Sequence, residues 1–143
     1  MDYKFKKCME EQKLIKTKPD QGMIEKELKG AEYDLKRAEN SLAERDYKWA
    51  IIQSYYSMFH AVKALVLNKG YREKTHYCLL VAFKNLYIDT NLIESQFLEV
   101  FEESMDLRQA ADYGLTYSKE SAEQAIQNTK ELLKKTREIL GNM

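Results

Sequence analysis

The side chains that could do chemistry in this 143-residue chain gather in three short stretches. In Ser54-Tyr55-Tyr56-Ser57-Met58-Phe59-His60-Ala61-Val62-Lys63-Ala64-Leu65, the residues Tyr56, His60 and Lys63 recur at i, i+4 and i+7. A helix would align them along one face. Lys74 and His76 follow in Lys74-Thr75-His76. Arg108 and Asp112 stand four apart in Arg108-Gln109-Ala110-Ala111-Asp112-Tyr113, on a helical stripe whose earlier members are apolar. Imidazole titrates near neutrality and can act as acid, base or phosphate donor. A guanidinium offers a planar fork of donors suited to phosphate oxygens. The set therefore suits the recognition of an anion.

Each of these residues also has a plainer reading. Arg108 and Asp112 could form an intrahelical ion pair, or Arg108 could line a phosphate site with Asp112 orienting it. His60 could be a core histidine bonded to a neighbouring helix, such as the one carrying Arg108. His76 could be an exposed first-turn residue. Tyrosines number ten, and Tyr55, Tyr56, Tyr71, Tyr77, Tyr113 and Tyr117 lie near the three stretches. Such rings can stack a base, and they also serve as amphipathic core residues. There are two histidines and no His/Cys/carboxylate spacing of the zinc type, so neither a metal nor a cofactor is expected. Gly70 to Thr75 lacks the Gly-Lys-Ser/Thr ending of a phosphate loop, because Glu73 precedes Lys74.

The elements that must position these residues read as helices. Ile24, Leu28, Ala31, Leu35, Ala38 and Leu42 alternate steps of four and three, which predicts a packing seam on a helix over residues 20–43. Residues 47–68 are apolar over more than half the circumference, as expected of a helix flanked on several sides. Gly70 suits its left-handed cap. Thr75 suits the N-cap of a helix over 76–88. A fourth helix is expected from residue 92 or 94 to Asp112, with Phe97, Leu98, Phe101 and Met105 inward. A last one should start near Ser118 and end at Leu140, closed by Gly141. Residues 1–16 carry a thin stripe of Phe5, Cys8 or Met9, Gln12 and Ile15. No strand pattern, repeat or low-complexity segment is visible. The expectation is an all-α, up-and-down bundle of four to five main helices over residues 20–143, preceded by an arm or short helix over 1–19.

Charge bounds the partners. With 23 basic and 23 acidic residues the formal net charge is zero, which argues against a strong non-specific grip on nucleic acid while leaving room for a local site. No apolar run approaches the roughly 18 residues of a membrane span. No apolar signal core follows the N-terminus, and Cys8 and Cys78 read as two isolated thiols of a reducing compartment. A cytoplasmic location is expected.

The three stretches, in this order and joined by Gly70, resemble the HEPN domain, in the branch with Tyr-Tyr-x-Met-Phe-His, Lys-Thr-His and Arg-x-x-x-Asp-Tyr motifs. The resemblance spans roughly residues 23–140. It implies a helical bundle, commonly a homodimer, that binds a nucleotide or RNA. It also implies pairing with a minimal nucleotidyltransferase in a toxin–antitoxin-type module. The polar positions it carries over are Tyr56, His60, Lys63, Lys74, His76, Arg108, Asp112 and Tyr113. Some branches are metal-independent endoribonucleases with an Arg-x4–6-His motif. Here the matching positions after Arg108 are Tyr113, Gly114 and Leu115, so this resemblance points to a binding or interaction module over an enzyme. A metal-independent ribonuclease and a purely structural interaction subunit are the alternatives.

Overall fold

The computed structural model describes residues 1–141. Helix α1 spans Tyr3–Glu10, strand β1 Leu14–Lys16, helices α2 Gln21–Ala43 and α3 Tyr47–Asn68, and strand β2 Tyr71–Glu73. Helices α4 His76–Phe83, α5 Gln96–Asp112 and α6 Lys119–Leu140 complete the described chain. Helix starts follow from local chemistry. Asp2, Asp20, Asp46, Thr75 and Ser118 each accept from a backbone N–H of the first turn. Such a cap contributes about 1 kcal/mol. Thr75 and Ser118 are the caps expected from the sequence, and Ser118 and Ser121 cap each other reciprocally.

Helix α3 is the axis. It packs on α2, α4, α5, α6 and β2, which is why Ala50, Ile51, Tyr55, Met58, Ala61, Val62, Ala64, Leu65 and Val66 are all buried. On α2, Ile24, Leu28, Ala31 and Ala38 of the expected seam are buried and meet Ala61, Ala64 and Ile51. Small residues at this contact let the two backbones approach closely. Helix α6 closes the other side through Ala122, Ala125, Ile126, Leu132 and Leu133. The all-α bundle is therefore the architecture, with a small addition.

That addition corrects the expectation of a strand-free chain. β1 and β2 pair antiparallel, with Leu14 opposite Glu73, Ile15 opposite Arg72 and Lys16 opposite Tyr71. Three residues per strand are too few for a period of two to show in sequence. Gly70 makes the ribbon possible. It adopts φ +83° just past α3, and a Cβ there would stand 3.1 Å from the Thr17 carbonyl. Thr17 N–H donates to the Gly70 carbonyl at 2.9 Å.

Three further differences have physical causes. The residue buried in the N-terminal segment beyond Phe5 and Cys8 is Leu14, not Gln12, because the chain turns at Gln12 (φ 58°) and leaves the helix. The expected 76–88 helix is α-helical to Phe83 and widens to a π-turn over Lys84–Ile88. There Asn85, Leu86, Tyr87 and Ile88 are all buried, and Tyr87 donates to the Leu65 carbonyl at 2.6 Å. Cys8 and Cys78 are not isolated thiols. They form a disulfide with Cα atoms 5.9 Å apart, tying α1 to the first turn of α4. They therefore no longer argue for a reducing compartment. Among the described residues no helix is long and apolar enough to cross a membrane.

Candidate functional site

The expected single ridge on α3 divides into two sites. Tyr56 turns toward α5, while His60 and Lys63 turn toward α2. His60 Nδ1 donates to Glu27 Oε2 at 2.6 Å, and its Nε2 lies 3.5 Å from Asp34 Oδ2. Lys63 Nζ stands 3.7 Å from the other Glu27 oxygen. The hydrogen bond to Glu27 is the main reason the His60 pKa is raised, against the opposing effect of burial. Burial also pushes Asp34 up. Gly30 leaves room for the imidazole, since a Cβ there would meet the ring at 3.4 Å. His60 thus clasps α2 to α3 with both nitrogens engaged. Its partner comes from α2, not from the helix that carries Arg108. Among the described residues no group of three or more His, Cys, Asp or Glu is placed to hold a metal.

The second site lies where the first turn of α4 meets the last turns of α5. Tyr55 Oη and His76 Nδ1 share a hydrogen bond of 2.5 Å. The His76 ring stacks on Phe59 with centroids 4.5 Å apart. Arg108 Nη2 donates to Tyr56 Oη at 2.9 Å. Its guanidinium carbon sits 5.7 Å from the Tyr55 ring, 5.6 Å from Tyr56 and 5.8 Å from Tyr113. Cation–π attraction at this range holds the group in place. Behind it, Tyr55 stacks on the fully buried Phe101, rings 6.1 Å apart and 7° from parallel.

The electrostatics of this site are those of an uncompensated cation. Arg108 forms no ion pair with Asp112, nor with any other carboxylate among the described residues. Its Nε is buried with no hydrogen-bond partner. Burial, reinforced by Arg108, lowers the His76 pKa and keeps that ring neutral. Burial likewise pushes the Tyr55 phenol up. The result is a positive fork flanked by neutral donors and aromatic faces. Such a surface can take one phosphate group and lay a base against a ring.

Of the eight residues singled out in the sequence, Tyr56, His76, Arg108 and Tyr113 meet here. His60 and Lys63 belong to the α2 clasp. Lys74 is exposed, and its backbone N–H donates to the Lys13 carbonyl as part of the ribbon. Asp112 is half-buried and close to the end of α5, with no ion-pair partner among the described residues. Tyr55, Phe59, Glu27, Asp34 and Glu73 were not singled out. Tyr55 and Phe59 read as apolar-face residues, and nothing local marks which of many surface carboxylates will meet a histidine. Glu73 has a buried oxygen without a partner, and burial raises its pKa.

Comparison with known proteins agrees with this geometry. The HEPN domain family matches residues 24–139. The chain belongs to the HEPN domain family. Among its relatives is a Methanocaldococcus jannaschii protein named "Putative toxin MJ0142", 36% identical over 119 residues, covering 82% of this chain and 81% of the relative. A second from the same organism, "Putative toxin MJ0605", is 32% identical over 95 residues, covering 66% of this chain and 69% of the relative. The crystal structure of TT1696 from Thermus thermophilus shares the HEPN-domain fold with a TM-score of 0.70. It is 21% identical and covers 81% of this chain and 97% of that one. Helix α1 and strand β1 precede the matched range.

Proposed function

We propose that this HEPN domain binds a phosphate group of a nucleotide or RNA between α4 and α5, as the toxin-type member of a two-protein module. Arg108 carries the reading. A guanidinium held by three tyrosine rings, with a buried Nε unpartnered and no carboxylate beside it, is arranged for an incoming anion. His76 adds a neutral donor, and Tyr113, 75% exposed, offers a face for a base. The family resemblance and the names of the relatives support a partner, for which the resemblance suggests a minimal nucleotidyltransferase, and a homodimer as the working form.

Calorimetric titration with AMP and with a short RNA tests this. Arg108→Ala should weaken binding by roughly 10- to 100-fold, the effect of one charge-assisted hydrogen-bonding group. Arg108→Lys should recover only part of it, because the fork is lost. Equal affinity of Arg108→Ala and wild type would sink the reading. Co-purification from the native host tests the partner.

One observation favours ribonuclease activity as a second reading. Tyr55, His76 and Arg108 together supply a proton-transfer pair beside a cation, which metal-free cleavage of RNA needs. His60 is spent on Glu27 and cannot join them, and a phenol pushed up by burial is a weak acid. Binding is therefore the preferred reading, and an RNA cleavage assay of wild type against His76→Ala decides the other.

A further inference from the structure

The largest groove outside this site is built by the segment that precedes the matched family range. It has a volume of about 480 Å³ and runs between α1 and the first turn of α4. The Cys8–Cys78 disulfide contributes to its wall, Lys4 and Lys7 line one side, and Tyr3 and Tyr77 offer exposed rings. Lys13 also lines it, but its charge is matched by Glu11 at 3.3 Å. Lys4 and Lys7, three apart on α1, have no ion-pair partner among the described residues. The first 18 residues hold six lysines against three acidic residues in a chain of zero net charge. Positive charge is thus concentrated at this edge. The groove also adjoins the Arg108 site, because Thr75 and Tyr77, on either side of His76, both line it.

We infer that the α1–α4 groove is a second nucleic-acid subsite, which takes the single-stranded RNA flanking the nucleotide held at Arg108 and His76. Two free ammonium groups spaced along one helix face meet successive backbone phosphates, and exposed tyrosine rings accept bases without regard to sequence. Charge complementarity selects a polyanion, and the aromatic rings select bases over carboxylates. The inference rests on the phosphate-binding reading of the Arg108 site, and the experiment separates the two.

The test measures binding of fluorescein-labelled octauridylate by anisotropy across salt concentrations, and of UMP by calorimetry. The proteins are wild type, Lys4→Ala/Lys7→Ala, Tyr77→Ala and Arg108→Ala, each checked by circular dichroism. The double-lysine variant should lose about tenfold or more in octauridylate affinity. Its log–log salt slope should become shallower by about 1.4, the value for two single-strand phosphate contacts. Tyr77→Ala should lose about tenfold through stacking. UMP binding should stay unchanged in both. If the groove variants bind octauridylate as wild type does, or wild type does not bind it, the subsite is overturned. If poly-glutamate competes as well as octauridylate, the groove is an acidic-protein surface and the RNA assignment falls. If Arg108→Ala changes neither ligand while the lysine variant weakens octauridylate, the groove stands and the Arg108 reading fails.

Discussion

Reduction of the Cys8–Cys78 bond should cost this fold a large part of its stability. The two residues are 70 apart in sequence, so the bond closes a loop of about half the chain. The chain-entropy relation for a loop of that length gives about 4 kcal/mol at 25 °C. Both sulfurs lie in side chains only 3% and 2% exposed, so the thiols can stay packed after reduction, and the difference reports mainly on the unfolded chain. For a domain of this size that corresponds to a fall in Tm of roughly 10 °C. The assay is urea unfolding of the native protein with and without tris(carboxyethyl)phosphine, with Cys8→Ser/Cys78→Ser as a control that cannot re-oxidise. The loss should be local before it is global. Amide exchange should accelerate first in α1 and the first turn of α4, where contacts to the rest of the bundle are few. Coincident unfolding curves for oxidised and reduced protein would refute the reasoning. So would two titratable thiols in protein purified and denatured without reductant.

Other outcomes follow from the two polar sites. By NMR the histidines should titrate apart, His60 above the ordinary value of 6.5 and His76 below it, and Arg108→Gln should move His76 upward while leaving His60 in place. Unmoved His76 would mean the guanidinium is not beside it. Because the folded-state pKa of His60 is raised, its stabilisation is complete below pH 6.5 and is lost as pH rises through the folded value. Wild type should therefore lose unfolding free energy over that window, and His60→Gln should flatten the slope; parallel pH profiles would dismiss the clasp. Phe101→Ala, which removes a fully buried ring between Tyr55 and Phe83, should cost about 3–5 kcal/mol in chemical denaturation. A loss below about 1 kcal/mol would mean that Tyr55 is not braced from behind.

Much of the fold was legible in the residues, because helices are encoded locally. The seam from Ile24 to Leu42, the all-round apolar face of α3, the caps at Thr75 and Ser118, and the glycines after α3 and α6 are short-range signals, and each marked its element within a few residues. The motifs were legible for the same reason, since Tyr-Tyr-x-Met-Phe-His, Lys-Thr-His and Arg-x-x-x-Asp-Tyr each sit within one or two turns. Partner choice was not. The i, i+4 spacing of Arg108 and Asp112 suggested an ion pair, and that of Tyr56 and His60 suggested one ridge. The packing of α2 and α5 on opposite sides of α3 sends Tyr56 to Arg108 and His60 to Glu27 instead. The β1–β2 ribbon and the Cys8–Cys78 bond join segments more than fifty residues apart, and no local pattern specifies such a meeting. Sequence alone determined which elements form and which residues have chemistry to offer. The tertiary structure decided which of those residues meet, because a side chain's partners are set by how helices cross, and that depends on the whole core.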